Sequence, residues 1–479
     1  MSDVKFSFIN PSPNVELPVY EKKKAIGSWP PLGLLYIATV LRNAGAEVSI
    51  LDQAVKNLTV KEVVDWVKRE DPDFVGFSTL SSSGRTAAII ARLVKEENPD
   101  IVVSFGNYHA TFSPERILKK YPQVDLIVRG EGELTVLELK EWLEGKRDLD
   151  DIEGLSFRKG NEIVSTPDRP YLTNLDALPI PDRSLLDSDY HSAIAGLYVA
   201  PKKFTTIVTS RGCIYKCRFC GCQKFARGRW RTRSVDNVME ELHLLYSEGY
   251  RQLLFVDDNF TLNPKRVMEL CRRMKKEKVR MDWICESRVD NCSYEMLRNL
   301  VRAGCRILYF GIESANQWVL DYFDKKITPT QSRTAIKKAR KAGIDVIVGS
   351  FILGAPRETR EEIERTLRFA LELDIDVPQF NPLGAFPGTD IWEELKVKGV
   401  INEDEWWETG LTIAEVSKEC VPLEEIKEMI HKYSMHFLFR SNFVLRELLR
   451  TIKSTYRLNL VLNNLNRAEI IAKSLQSLI

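Results

Sequence analysis

Short runs of apolar, β-branched and aromatic residues alternate with stretches whose apolar positions recur every three or four residues. Over residues 4–145 the strand-like runs are Val4–Ile9, Glu47–Leu51, Phe74–Ser78, Ile101–Phe105 and Leu126–Val128. Helical patterns at Gly33–Ala44, Val60–Glu70, Arg85–Asn98 and Pro114–Lys120 separate them. This alternation predicts an α/β fold with a doubly wound parallel sheet. The rhythm lapses over residues 146–200, where Gly154, Gly160, Pro167, Pro170, Pro179 and Pro181 mark a linker with a short hairpin at Leu155–Val164. It resumes near Lys203 with strands at Thr205–Thr209, Gln252–Asp257, Met281–Glu286, Arg306–Gly311, Asp345–Phe351 and Val377–Leu383. Six βα units predict a partial parallel barrel of the TIM type. Residues 396–479 are helical in pattern. The expected division is 1–145, 146–200, 201–395 and 396–479.

Composition changes this picture little. The 479 residues are 44% hydrophobic and 28% charged, enough for a large core, and the net charge of +2 gives no reason to expect nucleic acid. The sequence runs from Met1 straight into a strand-like segment, with no expected signal peptide. No apolar run approaches the roughly 20 residues of a membrane-spanning helix. Nine cysteines, an odd number clustered once, suit reduced thiols in the cytoplasm.

That cluster is Cys213, Cys217 and Cys220, spaced C-x3-C-x2-C after the first barrel strand. Three thiolates held so close can ligate three irons of a [4Fe–4S] cube and leave the fourth iron open. Cys222 offers a fourth thiolate, which keeps a structural zinc site as an alternative. Cys271, Cys285, Cys292, Cys305 and Cys420 form no second ligand cluster. In both parallel sheets a ligand is expected at the carboxyl ends of the strands. In the first sheet those ends read Asn10-Pro11, Ser78-Thr79-Leu80-Ser81, Gly106-Asn107-Tyr108-His109-Ala110-Thr111 and Arg129-Gly130-Glu131-Gly132-Glu133. No G-x-G-x-x-G follows the first strand, so a dinucleotide site is a weak reading. In the barrel the ends carry Asp257-Asp258-Asn259, Glu286 with Arg288, Glu313 and Gly354. The segment Phe437–Arg457 mixes apolar residues with Arg440, Arg446, Arg450, Lys453 and Arg457. It can pack on a domain, dock a substrate or lie on a membrane.

The cysteine spacing, with Phe219 just before the last cysteine, resembles the signature of radical S-adenosylmethionine (SAM) enzymes. The first 140 residues resemble the cobalamin-binding domain fused to many of them, through Pro31-Leu32-Gly33-Leu34 and the Gly106–Thr111 and Arg129–Glu133 loops. The resemblance covers roughly residues 1–390. It implies a [4Fe–4S] cluster on Cys213, Cys217 and Cys220. SAM is implied at Phe219, Asp257, Asp258, Asn259, Glu286, Arg288, Glu313 and Gly354. Glu286 would reach the ribose hydroxyls and Arg288 the SAM carboxylate. Cobalamin is implied at Asn10, Ser78, Thr79, Ser81, Gly106, Asn107, Tyr108, His109, Gly130, Glu131 and Gly132. The D-x-H-x-x-G motif of other cobalamin proteins is absent: Asp52-Gln53-Ala54 puts Ala54 where its histidine would sit. The arginines of Gly228–Ser234 are expected to bind anionic groups or to join the two domains. The implied reaction is C-methylation of an unactivated sp3 carbon, with two SAM molecules and an external one-electron reductant per cycle. The first-choice acceptor is a peptide or protein side chain, such as a glutamine of methyl-coenzyme M reductase. Methylation of a lipid or hopanoid, radical cyclisation of a porphyrin and a cobalamin-binding sensor are the alternatives.

Overall fold

The computed structural model describes residues 4–13, 28–194, 197–199, 202–409 and 421–464. It comprises two compact units.

The first unit joins residues 1–20 and 30–189 to residues 404–412. Its sheet contains β1 (Lys5–Asn10), β2 (Glu47–Asp52), β3 (Phe74–Ser78), β4 (Val102–Gly106), β5 (Leu126–Val128), β6 (Leu155–Lys159) and β7 (Glu162–Ser165). The strand order is β2-β1-β3-β4-β5-β6-β7. The first five are parallel, and β6 and β7 extend the edge antiparallel. The hairpin expected at Leu155–Val164 is therefore part of the sheet. The strands bury Phe6, Phe8, Phe74, Phe77 and Phe105. Gly76 exists for that packing, since a Cβ there would lie 2.7 Å from the Phe8 ring. Chain order reverses across β1 and β3, which opens a crevice at their carboxyl ends.

The second unit joins residues 21–29, 190–403 and 413–479. After the short hairpin β8 (Ala193–Ile194) and β9 (Leu197–Tyr198) comes β10 (Phe204–Ile207). A small antiparallel pair follows, β11 (Ser210–Arg211) with β12 (Arg231–Thr232). Then come β13 (Gln252–Phe255), β14 (Asp282–Arg288), β15 (Cys305–Glu313), β16 (Val346–Leu353) and β17 (Val377–Pro382). The order β10-β13-β14-β15-β16-β17 is the expected one-way parallel sheet of a partial barrel. Helices such as Pro329–Ala342 and Arg360–Glu372 cover it, each started by a capping box, Thr328 with Gln331 and Thr359 with Glu362. The core between helices and sheet includes Trp283, Phe255, Phe310 and Phe351.

Trp406 and Trp407 lie on a helix, Glu403–Thr409, whose residues from Asp404 onward belong to the first unit. The basic segment Phe437–Arg457 packs on its domain, the first of the readings given for it, with Arg446 and Arg450 paired to Asp374 and Arg457 to Asp376. Cys420 and residues 465–479 lie outside the described residues. Among the described residues no helix is long and apolar enough to cross a membrane.

Candidate functional site

The cysteine loop is held by its surroundings and not by its cysteines. Asp257, buried past the end of β13, accepts from Thr209 N at 2.7 Å, Thr209 Oγ1 at 2.6 Å and Ser210 Oγ at 2.7 Å. Burial raises its carboxyl pKa, and these hydrogen bonds and Arg266 oppose the rise. Both its oxygens are engaged, so Asp257 positions the loop where sequence reading put it on SAM. Asp258 accepts from Gly212 N at 2.8 Å. Gly212 has φ +87°, and a Cβ there would fall 2.1 Å from Arg229 O. The turn into Cys213 thus requires glycine. Further on, Arg218 N donates to Phe323 O at 3.0 Å. The Arg218 guanidinium lies 4.6 Å from the Tyr322 ring centre and pairs with Glu394. Phe219 meets Phe323 edge-on at 5.2 Å, an aromatic brace beside its expected SAM contact. Arg233 is buried, pairs with Glu241 and donates to Val208 O at 3.1 Å. It supports the loop and is not available to an anion.

These anchors leave Cys213, Cys217 and Cys220 each half-buried. Among the described residues no three His, Cys, Asp or Glu side chains converge on one metal ion. Cys222 is buried at the start of the helix Cys222–Phe225. Its hydrogen bond pulls the Cys220 thiol down to about 7 and pushes its own pKa up, so Cys222 acts as a donor to the Cys220 sulfur. Burial raises Cys213 and Cys217.

A cationic wall stands beside Cys217. Arg288 closes β14 with Nη1 at 3.7 Å from Cys217 Sγ. Asp290 holds it through two contacts of 3.0 Å, and Tyr215 lies 3.6 Å beneath its guanidinium. Arg288 also donates to Lys325 O. Lys325 is buried and its Nζ lies 2.6 Å from Glu313 Oε1. Glu313 sits at φ +63° beyond a bulge in β15. Gly311 makes room for the pair, since a Cβ there would lie 2.6 Å from Glu313 Oε1 and 2.8 Å from Lys325 Nζ. Glu313 was expected to touch SAM, yet it pairs with Lys325, which sequence reading missed together with Tyr215 and Asp290. A lysine in the turn Asp324-Lys325-Lys326 gives no signal in sequence that it is buried.

Glu286, two residues before Arg288, is solvent-accessible. Desolvation raises its pKa, aided by Asp258 and Glu313 and opposed by Lys325. Asn259 is buried with Nδ2 lacking a partner, a donor left for a ligand. Gly354, at φ +86°, gives its N–H to Glu358 Oε2 at 2.8 Å, and Ala355 N follows at 3.0 Å. Gly354 can therefore offer only its Cα face and carbonyl. Burial lifts the Glu358 carboxyl to about 7.

In the first unit, Asn10, Ser78, Ser81, Tyr108, Gly130 and Glu131 are half-exposed along the carboxyl ends of the strands, with Leu80 exposed among them. Asn107, at φ +77°, donates to Ser78 Oγ at 3.0 Å. Gly106 has only Val128 O nearby, at 3.7 Å from an added Cβ. An apolar floor with neutral hydroxyl and amide groups around it fits a flat macrocycle with an amide rim. Three expected contacts are turned inward. Thr79 is fully buried with Oγ1 on Gly106 O at 2.8 Å. Gly132 packs against Ile37 and Val128. His109 is buried against Trp407 at 5.0 Å and Trp406 at 6.4 Å, over Gly84, where a Cβ would be 2.6 Å from Nε2. Burial lowers its pKa to about 4. His109 is thus a neutral core residue, its Nδ1 buried without a partner. At the end of β2, Asp52 caps its own helix through Val55 N, and Gln53 accepts from Ser12 N at 2.8 Å.

Comparison with known proteins agrees with both units. Residues 207–370 match the radical SAM superfamily and residues 23–140 the B12 binding domain. An uncharacterized methyltransferase of Pyrococcus horikoshii is 37% identical over 89% of this chain and 92% of its own. The anaerobic magnesium-protoporphyrin IX monomethyl ester cyclase of Rubrivivax gelatinosus is 30% identical over 77% of this chain and 67% of its own. The fold matches that of the radical SAM methyltransferase TsrM of Kitasatospora setae, solved with cobalamin and a [4Fe–4S] cluster. The TM-score is 0.66 at 20% identity, over 83% of this chain and 75% of that one.

Proposed function

The chain belongs to the cobalamin-dependent radical SAM methyltransferases, and we propose that it methylates an unactivated sp3 carbon. When bound, the cluster with SAM supplies a carbon radical able to take a hydrogen atom, cobalamin supplies the methyl group, and an external reductant supplies electrons.

We assign Cys213, Cys217 and Cys220 as the cluster ligands. The observation that carries this is the anchoring of their loop by Asp257, Asp258, Gly212 and Arg218, which holds the three cysteines on one braced turn, each half-buried. Glu286 is assigned to hydroxyl donors of the SAM ribose, because its carboxylate is open to solvent near Asp258. Arg288 is assigned to charge compensation next to Cys217 and to the SAM carboxylate. Asn259 Nδ2 is the donor available past β13. On the first unit, Ser78, Ser81, Asn107 and Tyr108 are assigned to the cobalamin rim. Ala54 and the enclosed His109 leave that unit with no imidazole to offer cobalt, which suits a cobalamin that must give up its methyl group. The first acceptor to test is an aliphatic carbon of a peptide or protein side chain. Similarity to the cyclase favours a second reading, radical ring closure on a porphyrin, in which no methyl group is transferred.

Anaerobic reconstitution with iron, sulfide and hydroxocobalamin, followed by reduction and addition of SAM with candidate acceptors, tests this. Both 5′-deoxyadenosine and S-adenosylhomocysteine should form, and Cys217→Ala should abolish deoxyadenosine. Deoxyadenosine without S-adenosylhomocysteine would turn the reading toward cyclisation.

A further inference from the structure

At the end of the barrel away from the cysteines, the loops entering β14 and β15 border a groove of about 700 Å³. Trp283 Nε1 donates to Ala303 O at 2.9 Å and ties the two loops side by side. Gly304, at φ +107°, lets them close, since a Cβ there would fall 2.1 Å from Met281 O. Met274, Val279, Met281 and Val301 supply an apolar lining. Around it stand six cations, Lys202, Lys275, Lys278, Arg280, Arg302 and Arg306, with Asp282 the one carboxylate among the described residues that line it. Asp282 is already taken, by Lys202 at 3.2 Å and Arg306 at 2.8 Å. The side chains of Lys275, Lys278, Arg280 and Arg302 are exposed and make no hydrogen bond or ion pair among the described residues. The whole chain carries a net charge of only +2, so this gathering of positive charge is local.

Helix ends account for only part of this charge. Lys275 and Arg302 stand in the last turns of Pro264–Lys276 and Tyr294–Arg302, where a cation meets the carbonyl end of a helix. Lys278 and Arg280 lie beyond those turns, in the loop. Lys278 also holds φ +60°, a conformation that glycine takes more readily, so a lysine is kept there at a backbone cost. Cations held together without counter-charges repel one another, and an anion in the groove removes that repulsion. The volume is that of a small-molecule site. Guanidinium forks at Arg280 and Arg302, with point charges at Lys275 and Lys278, match phosphate oxygens. The sequence after Asn464 sets Arg467 and Lys473 against Glu469 and brings no net negative charge to the groove. We propose that this groove binds a small, multiply charged phosphate compound, a nucleoside polyphosphate or an inorganic polyphosphate. β14 begins in the groove at Asp282 and ends at Arg288 beside Cys217, about 20 Å of strand away. The site is therefore separate from the cysteine loop, and its ligand takes no part in the chemistry there.

Isothermal titration calorimetry on the full chain tests this, with cobalamin, the oxidised cluster and saturating SAM in place so that no adenosine site stands open. The probes are sodium tripolyphosphate and ATP, without magnesium. The wild type should bind at micromolar Kd, more weakly as salt is raised. Arg280→Glu with Arg302→Glu should weaken binding at least tenfold while cobalamin and cluster absorbance stay unchanged, since both side chains are exposed at the far end of the barrel. Tighter binding of ATP supports the proposal with a nucleotide whose base lies on the apolar lining, and equal binding supports it with a ligand read by its phosphates alone. A Kd above millimolar for both probes overturns the proposal. So does binding that the double substitution leaves unchanged. A wild type that ignores both probes but binds an acidic flavodoxin, with that binding lost in the double variant, overturns it in favour of a protein partner.

Discussion

The carboxyl ends of the two parallel sheets are built from different chemistry. At the barrel end the braces are mostly ionic: Asp258 on the cysteine loop beside the buried Asp257, Arg288 on Asp290, and Glu313 on Lys325. At the other sheet they are mostly neutral: Thr79 on Gly106 O, Asn107 on Ser78 and Thr111 on Gly130 N, with Arg129 on Asp168 as an ion pair. A cluster and a zwitterionic sulfonium demand fixed charges set in place before they bind. A wide macrocycle is held by area and many weak rim contacts. The contrast implies that substitutions at the barrel end cost more and act on ligand loading, and that those at the sheet end cost less.

The strongest way to break the comparison is at the Glu313–Lys325 pair. Lys325→Met leaves Glu313 buried without its cation, which costs about 3–5 kcal/mol. Denaturant unfolding measures it. Adding Glu313→Gln should recover most of the loss, because no unpaired charge then remains. If Lys325→Met costs no more than a neutral contact, the ionic account of this end fails. Gly212→Ala sharpens the same point locally. With φ +87° and Arg229 O in the way, the loop must shift, and iron bound per chain after reconstitution should fall severely while far-ultraviolet circular dichroism stays unchanged.

Acid and base separate the two units. His109 stays neutral in the fold, its pKa lowered from 6.5 to about 4. Its contribution is whole above 6.5 and is lost as pH falls toward 4. Glu358 has the opposite sign: the fold holds its proton up to about 7 against an ordinary 4.5. Its contribution is whole below 4.5 and is lost as pH rises to 7. Each spans about 3 kcal/mol. Stability measured across this range should lose its acid-side slope in His109→Leu and its slope toward neutrality in Glu358→Gln. Identical pH profiles in wild type and both variants would remove the contrast.

What could be read from sequence follows the same divide. Period and turn residues placed the strands of both sheets, because apolar alternation is a local property. The cysteine spacing was legible for the same reason, as was the missing imidazole at Ala54. Pairing through space was not. Lys325 lies twelve residues from Glu313, Arg233 eight from Glu241, and Trp407 almost three hundred from His109. Asp257 and Thr79 sit in loops and His109 in the helix Asn107–Phe112, all at strand ends that carry ligands in such folds, yet their side chains turn inward. A one-residue change of direction at a strand end decides whether a polar group braces or binds, and composition does not record it.

Thr79 gives the smallest and most discriminating case. Its Oγ1 donates to Gly106 O, which also accepts Thr79 N at 2.9 Å. Thr79→Val keeps the shape and removes one neutral hydrogen bond, and the carbonyl retains its other partner. The expected cost is about 1 kcal/mol. Because the side chain is fully buried, cobalamin retained through desalting should match wild type, whereas Asn107→Ala, which frees Ser78 on the open surface, should lower it. A Thr79→Val protein that folds normally but loses cobalamin would return Thr79 to the ligand surface. It would also erase the distinction between bracing and binding groups on which the neutral sheet end rests.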